Sequence, residues 1–443
     1  MLKAGGWNLV GIVALTLIRL GSNLILTRYL APQAFGLVMF ASTVVTAFEM
    51  FSDLGIRQSI VREKDAHTDH FLRVAWTVKV MRGAVIASGI LAVAMAFYLF
   101  AEALAPARTI YADPRMPGIL ALVAFSPLLM SCSATTFEHA ERVFNFRSVV
   151  TITVSSKIIS AAATIGLAEM TPSIWALIVG MLIGSAAHCL GTHFYLNTPR
   201  MRWTRDREIE GRLWTFGRFI MGSSAFTMLA TNTDRLLLAS LLPATVFGFY
   251  AIAMIWVVAA QQAVGKLIGS VAFSGVAEVM RDRPQDIQRF LRRVQFILDG
   301  ICAATAVAAV FIGPIILDLL YPDRYQMVGQ FLRLLAPALM VQRFAPLATV
   351  MLNLGHSRAM MMNSFLTFVG VLIGLPIGFA LGGVKGAVIA AATAPLLASL
   401  WAMWRTRATF GPKATAISLF WVVGILVCDV VLAVMITLPE MSQ

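Results

Sequence analysis

LTRYLAPQAFGLVMFAS at residues 26–42 and LASLLPATVFGFYAIAM at residues 238–254 are two versions of one pattern, and this pattern decides the fold. Each version reads as the end of an apolar helix, a proline turn, and a second helix that opens with Phe-Gly. Pro32 and Gly36 correspond to Pro243 and Gly248, with one residue inserted in the second copy. The recurrence predicts a chain of two similar halves, an organisation that is common among secondary transporters.

The composition around this repeat is that of a membrane protein. Hydrophobic residues make up 59% of the 443-residue chain and charged residues only 13%, whereas a soluble domain carries about 25% charged residues. Apolar runs of about 20 residues, the length of a membrane-spanning helix, recur along nearly the whole chain. The runs lack the two-residue alternation of barrel strands, so we predict thirteen helical spans.

We therefore predict an all-α polytopic membrane protein. Two pseudo-symmetric six-helix bundles, residues 1–205 and 206–412, surround a central cavity, and residues 413–443 add one C-terminal transmembrane helix. In a soluble protein the net charge of +13 would suggest nucleic acid. Here the excess lies in alternate short loops, which predicts orientation in a bacterial inner membrane with a cytoplasmic N-terminus and no nucleic-acid partner. The predicted outward loops hold few basic residues: Arg108, Arg115, Arg324 and Lys385.

Ionisable residues inside the predicted spans are the main functional signal, since a charge at the bilayer centre costs at least about 2.5–3.5 kcal/mol. Arg19 and Asn23 lie on a polar stripe of the first helix. Thr227, Thr231 and Arg235 form a comparable stripe on the seventh. Helices in corresponding positions of the two halves thus present polar faces, which predicts that both line one hydrophilic cavity.

Further cations lie deep in the predicted fifth, eighth and tenth spans: Lys157, Lys266 and Arg343. Cations at depth outnumber acids, and a partly dry cationic cavity attracts anions strongly because screening there is weak. The arginine fork matches phosphate oxygens. The pattern favours a diphosphate as guest.

The buried acids leave two interpretations open. Glu49, Asp53 and Arg57 follow four-residue spacing and are expected on one helix face, where Arg57 can pair with Asp53. The set is either a self-neutralised ladder between helices or, through Glu49 or Asp53, a proton- or cation-coupling site. Asp234 is a further candidate for coupling or gating.

Signals of catalysis are missing from the sequence. It contains no phosphate-binding loop, no metal-spaced histidine cluster and no GxSxG. No predicted loop reaches 25 residues, so any recognition must be built within the spans. We expect a transporter rather than an enzyme, with no metal and no cofactor.

Three stretches carry a family resemblance: the first repeat copy followed by FSDLGIRQSIVR (51–62), DRLLLASLLPATVFGFYAIA (234–253), and VAFSGVAEVMRDRPQDIQRFLRR (271–293). Together they resemble bacterial polysaccharide exporters of the Wzx and PST type, in the MOP flippase superfamily. The likeness is diffuse and reaches roughly residue 405. It departs from the usual pattern at Ala239-Ser240, where Ile-Gly is common, and at Ser274, where a proline is common.

The resemblance implies alternating-access export of undecaprenyl-diphosphate-linked oligosaccharides for exopolysaccharide, capsule or O-antigen. By position, Arg19 looks like a cavity arginine of the related lipid II flippases, and Arg235 is its second-half partner. Under this hypothesis Arg19, Arg235, Lys157 and Lys266 meet the diphosphate, while Asn23, Thr227 and Thr231 bind sugar hydroxyls. Expected partners are the lipid-linked oligosaccharide, membrane lipids, and the polymerase and chain-length regulator of the pathway.

Two alternatives stay open at this point. A lipid II-type or MATE-like cation-coupled exporter would share the scaffold, but the MATE type would need a cavity dominated by acids. A membrane-embedded polysaccharide polymerase or ligase would be an enzyme and should have a long periplasmic loop.

Overall fold

The computed structural model describes residues 2–104, 109–196, 199–268, 278–279, 282–345, 347, 351 and 357–436. Its regular secondary structure within these ranges is helical throughout. The chain divides into two compact units, Met1–Met228 and Leu229–Gln443, with the division inside one long helix. The limits expected from the sequence, at 205/206 and 412/413, stay predictions.

The described residues of the first unit form nine α-helices and the beginning of a tenth. They are α1 (Leu2–Tyr29), α2 (Pro32–Phe51), α3 (Ile56–Arg62), α4 (Asp69–Leu104), α5 (Met116–Val123), α6 (Phe125–Ser131), α7 (Thr136–Arg142), α8 (Phe146–Met170), α9 (Ile174–Phe194) and α10 (Arg207–Leu241). Buried residues of α3, α4 and the start of α10 form an apolar core, to which Ile60, Phe71 and Leu213 belong.

Described helices of the second unit follow α10. They are α11 (Ala244–Ile268), α12 (Ile287–Leu320), α13 (Met327–Val341), α14 (Ser357–Thr393) and α15 (Pro395–Met435), with a 3₁₀ turn at Gln342–Phe344 directly after α13. Two of these helices are bent at glycines with positive φ: α14 at Gly383 (φ 59°) and α15 at Gly411 (φ 81°). Only glycine adopts such angles without strain, so each bend separates two straight segments.

The repeated sequence pattern forms the same local structure in both units. Pro32 begins α2, where its missing N–H is not needed, and α1 ends three residues earlier, at Tyr29. In the second copy α10 ends at Leu241 and α11 begins at Ala244, directly after Pro243. In both copies a buried leucine closes the first helix: Leu30 N–H donates to Leu26 O, and Leu242 N–H donates to Leu238 O, each at 2.9 Å.

The chain is a multi-pass helical membrane protein. Nine helices in the described ranges are long and apolar enough to span a membrane, or up to ten if the bent pair Met116–Ser131 and Thr136–Arg142 is one span. One continuous stretch, Met361–Arg407, has 47 residues and is long enough for two spans. The count of thirteen is therefore not confirmed.

Candidate functional site

The second unit encloses a cavity of about 480 Å³ between α10, α11, the end of α13, α14 and α15. We call it the C-terminal cavity. Its wall is mostly apolar, with a group of polar side chains: Thr231, Asp234, Arg235, Tyr250, Gln261, Gln342, Asn363, Ser364, Thr367 and Ser399. Small-molecule sites have this character, a volume of roughly 300–1,000 Å³ with a few polar groups that fix orientation.

Arg235 supplies the positive charge of this cavity. Its Nη1 donates to Asn232 Oδ1 at 3.0 Å, a neutral partner that orients the guanidinium without cancelling its charge. Its buried Nε has no hydrogen-bond acceptor, and the side chain has no ion-pair partner, within the described ranges. The cavity therefore contains a positioned guanidinium with bonding capacity to spare, which favours an anionic guest.

The adjacent acid has a different partner. Asp234 Oδ2 accepts a hydrogen bond of 2.6 Å from the Tyr250 hydroxyl, and both side chains line the C-terminal cavity. No ion pair joins Asp234 to Arg235. The tyrosine thus hydrogen-bonds the carboxyl, and no hydrogen bond to this carboxyl uses the guanidinium donors of the neighbouring arginine.

The other residues of the seventh-helix stripe divide at the cavity wall. Thr231 lines the C-terminal cavity, and its Oγ1 accepts from Asn232 Nδ2 at 2.9 Å. Thr227 is one turn earlier, outside this wall, exposed, and hydrogen-bonded to Ser223 O. Only the later end of the expected stripe therefore faces this cavity.

Arg343 has a structural environment. Its side chain is fully buried, and its Nε and Nη2 bind the two oxygens of Asp299 at 2.5 and 3.1 Å. The rings of Phe344 and Trp421 cover the guanidinium at 4.8 and 5.4 Å. Arg343 does not line the C-terminal cavity although its chain neighbours do, so we do not carry it into the proposed site.

Predicted cations of the first unit have separate surroundings. Arg19 is partly buried in α1, while Asn23 is 6% exposed and packs inside the unit. Lys157 is exposed on α8 and has no hydrogen bond or ion pair among the described residues. Lys266 belongs to α11, but its side chain lies outside the described residues.

The expected ladder of Glu49, Asp53 and Arg57 is wrong. Helix α2 ends at Phe51, so the three residues do not share a helix face. Asp53 instead accepts from Gly55 N–H and from the Ser224 hydroxyl, both at 2.9 Å. Arg57 pairs with Glu141 through two hydrogen bonds of 2.5 and 3.0 Å. The four-residue spacing failed because a turn, with Gly55 at φ 59°, interrupts it.

Polar side chains surround these acids, and one of them is an arginine of α4. Arg82 of α4 donates to Ser52 Oγ at 3.2 Å and to the carbonyl oxygen of Glu49. Arg82 thus bonds the main chain of Glu49 rather than its carboxyl, and its charge interacts electrostatically with both Glu49 and Asp53, close to the turn after α2. A role of these two acids in ion coupling or gating stays a prediction.

Most of the polar lining of this cavity was not predicted from the sequence, and three of the missed residues lie on α14: Asn363, Ser364 and Thr367. They occupy one face of α14 at one-turn spacing inside an otherwise apolar span. That spacing was a usable signal, because polar residues three and four apart share a helix face.

Comparison with solved structures defines the class of fold. The chain is similar to lipid II flippase MurJ in an inward closed conformation, with a TM-score of 0.68 over 98% of both chains at 11% identity. It is also similar to an inward-facing MATE multidrug transporter of the MOP superfamily, with a TM-score of 0.64 over 89% of this chain and 95% of that one, at 13% identity. These likenesses show a MOP-type fold.

The family follows from the sequence. Residues 25–330 match the model of the polysaccharide biosynthesis protein family, and the chain belongs to this family. Succinoglycan biosynthesis transport protein ExoT of Rhizobium meliloti is 22% identical over 66% of this chain and 56% of its own length. Amylovoran biosynthesis protein AmsL of Erwinia amylovora is 23% identical over 63% of this chain and 68% of its own. The chain thus matches little more than half of ExoT.

Proposed function

We propose that this protein is a flippase that moves a diphosphate-linked oligosaccharide on a polyprenyl carrier across the bacterial inner membrane by alternating access. The observation that carries the proposal is the C-terminal cavity, in which Arg235 keeps its charge among hydroxyl and amide side chains. A lipid-linked sugar diphosphate combines an anion with hydroxyl groups. Such a cavity offers a partner for each of these groups.

The division of labour follows from the side-chain types. Arg235 binds a phosphate oxygen with the donors that Asn232 leaves unused. Thr231, Asn363, Ser364 and Thr367 hydrogen-bond sugar hydroxyls, since each can donate and accept. At about 480 Å³ the cavity holds the diphosphate end rather than a whole oligosaccharide, and the prenyl chain stays in the lipid.

Arg19 and Lys157 are the cations that the proposal assigns to the first unit. Helices α1 and α8 touch where a Cβ on Gly11 would lie 2.8 Å from a methyl of Val150. Both helices run outward in the predicted topology. Arg19 is then about 12 Å and Lys157 about 10 Å beyond this contact, at 1.5 Å per residue, so the two cations share one depth. A cavity shared by both halves stays a prediction.

The membrane potential is the simplest energy source for this step. Outward movement of an anion from an inside-negative cell gains about 2.3 kcal/mol per charge per 100 mV. A diphosphate can therefore draw several kcal/mol without ATP. Proton or cation coupling through Glu49, Asp53 or Asp234 is the alternative, and it predicts transport that depends on an ion gradient at zero potential.

Transport in proteoliposomes tests the proposal. A fluorescent polyprenyl-diphosphate glycan is the probe, and its accessibility to a membrane-impermeant quencher reports flipping. Arg235→Ala should lower the rate by at least about tenfold, the value of one lost charge-assisted hydrogen bond. Arg235→Lys should retain part of the rate, because it keeps the charge but loses the fork.

Arg289→Ala is the matched control, since this exposed arginine pairs only at the surface with Asp286. It should transport like the parent protein. An unchanged transport rate in Arg235→Ala would show that the C-terminal cavity does not bind the transported substrate. Equal flipping of a polyprenyl glycoside without phosphate would remove the diphosphate.

The MATE-like fold makes a cation-coupled drug exporter the rival function. The cavity argues against it, because its acid is bound to Tyr250 while its guanidinium has no ion-pair partner among the described residues. Uptake of a fluorescent organic cation into the same vesicles, driven by a proton gradient, is the discriminating measurement. We expect no cation transport above empty vesicles.

A further inference from the structure

Pro314 in α12 creates an unusual opening for a side chain. A proline has no N–H, so the carbonyl of Val310, four residues earlier, loses its normal helical partner. Arg333 of α13 fills this position: its Nε donates to Val310 O at 3.0 Å. The proline therefore fixes Arg333 by its Nε and holds the guanidinium in one place.

The rest of that guanidinium is available. Its two terminal nitrogens have no hydrogen bond or ion pair to any described residue, and Arg333 is only partly buried. A fixed cation with four unused N–H donors is prepared for an anion of two or more oxygens.

Arg333 lies where two cavities of the second unit meet. One, the polar end pocket, has about 350 Å³ and is lined by Pro314, Asp318, Asp323, Gln326, Gly329, Gln330 and Arg333. The other, the apolar groove, has about 470 Å³ and runs between α12, α13 and α15, with Ala303, Phe311 and Trp421 in its wall. Arg333 is the residue that lines both.

Charge in the polar end pocket has both signs. Asp318 and Asp323 are exposed and form no ion pair with Arg333 or with any other described residue. The pocket thus presents two carboxylates beside one guanidinium, and an apolar groove leads away from the guanidinium. A ligand that matches the carboxylates, the guanidinium and the groove carries a cation, an anion and a long apolar chain, in this order.

We propose that the polar end pocket and the apolar groove bind a glycerophospholipid with a primary-amine headgroup. Its ammonium meets Asp318 and Asp323, its phosphate meets the terminal nitrogens of Arg333, and one acyl chain fills the groove. The depth agrees: Arg333 is six residues, about 9 Å, inside the start of α13. A phosphate at the edge of the hydrocarbon is within reach of that side chain.

Headgroup selectivity follows from this arrangement. A choline headgroup has no N–H to donate to the carboxylates. A glycerol headgroup has no cation, and its anionic lipid is repelled by them. If Arg333 only satisfied the carbonyl of Val310, the protein would show no preference among these lipids.

Native mass spectrometry of the delipidated full chain in detergent tests the proposal. Phosphatidylethanolamine, phosphatidylcholine and phosphatidylglycerol of identical acyl chains are titrated separately, and the bound fraction is counted. We expect one tightly bound phosphatidylethanolamine, with the other two lipids at least about tenfold weaker. One charge-assisted hydrogen bond corresponds to a factor of this size.

Three variants separate the parts of the site. Arg333→Gln keeps a donor for Val310 O but should lose at least about tenfold in affinity, because the charge is gone. The double change Asp318→Asn and Asp323→Asn should keep binding and lose only the preference over phosphatidylcholine. Arg324→Gln, at the same helix end but outside both cavities, is the matched control and should bind like the parent.

The measurements have clear adverse outcomes. Equal binding of the three lipids, or unchanged affinity in Arg333→Gln with an unaltered thermal midpoint, overturns the site. Displacement of the bound lipid by one equivalent of polyprenyl diphosphate also overturns it, since the groove would then belong to the transported carrier. Ala303→Phe, which fills the groove without touching a charge, should abolish binding while transport by Arg235 continues.

Discussion

Asp299→Asn is expected to be one of the most destabilising single substitutions in the second unit. The change leaves Arg343 with its charge but without its counter-ion, in a position where the arginine side chain is 0% exposed. Breaking a buried pair by removal of one partner costs about 3–5 kcal/mol. The carboxylate makes two direct bonds to a guanidinium that two aromatic rings cover, so we expect water to replace it poorly.

The double variant Asp299→Leu with Arg343→Met should recover most of this loss. Replacing a buried ion pair by apolar residues of similar volume is often neutral or stabilising, because neither charge then needs to be desolvated. Arg289→Gln on the same helix is the control. Its surface pair with Asp286 has partners 69% and 42% exposed, so its loss costs at most about 1 kcal/mol.

A thiol-reactive fluorogenic dye gives a local assay of this unfolding. Cys302 is fully buried three residues after Asp299, so it reacts only when this part of α12 opens. The midpoint of thermal labelling should fall sharply in Asp299→Asn, little in Arg289→Gln, and return towards the parent value in the double variant. Serine at the other three cysteines, Cys132, Cys189 and Cys428, removes their background.

Transport by the double variant decides what Arg343 does. We expect normal flipping, because the pair holds helices together and does not line the C-terminal cavity. A stable double variant without transport would refute this reasoning and return Arg343 to the substrate site. A double variant as unstable as Asp299→Asn would refute the assignment of the cost to an uncompensated charge.

Two further predictions concern packing and pH. Gly386→Leu should prevent stable insertion, because a Cβ there would lie 2.0 Å from the carbonyl oxygen of Gly378 on the facing segment of α14. The protein yield in the membrane fraction and the gel-filtration profile check this. Gly374→Leu is the control, because a Cβ at Gly374 meets open space. Asp206, in the connection before α10, accepts a hydrogen bond from His70 that lowers the pKa of this carboxyl. A lowered carboxyl pKa stabilises the fold above the ordinary value of about 4 and loses this effect as the pH falls through the folded value. Asp206→Asn should therefore lower the thermal midpoint at neutral pH and converge with the parent protein near pH 2, which flattens the acid limb between about pH 5 and pH 2; a parallel shift at all pH values would contradict it.

Sequence spacing located the site only in part. Thr231, Asp234 and Arg235 were predicted as site residues on one helix, and all three line the C-terminal cavity. Asn363, Ser364 and Thr367 complete its polar wall from a helix more than 100 residues later in the chain. Nothing local to either helix says that the two meet.

The sequence by itself determined that the chain lies in a membrane and that its two halves repeat one pattern. The scarcity of charge, the apolar runs and the two proline turns are local properties, and the helices formed where these properties placed them. Which charges remain available was decided only by tertiary structure. Arg57, Arg82 and Arg343, like Arg235, are arginines within or next to apolar stretches of the sequence. In the structure Arg57 pairs with Glu141, and Arg343 pairs with Asp299. Arg82 donates to the main-chain carbonyl of Glu49. Partners 44 and 84 residues apart are set by which helices pack together, and helical periodicity carries no information about that choice.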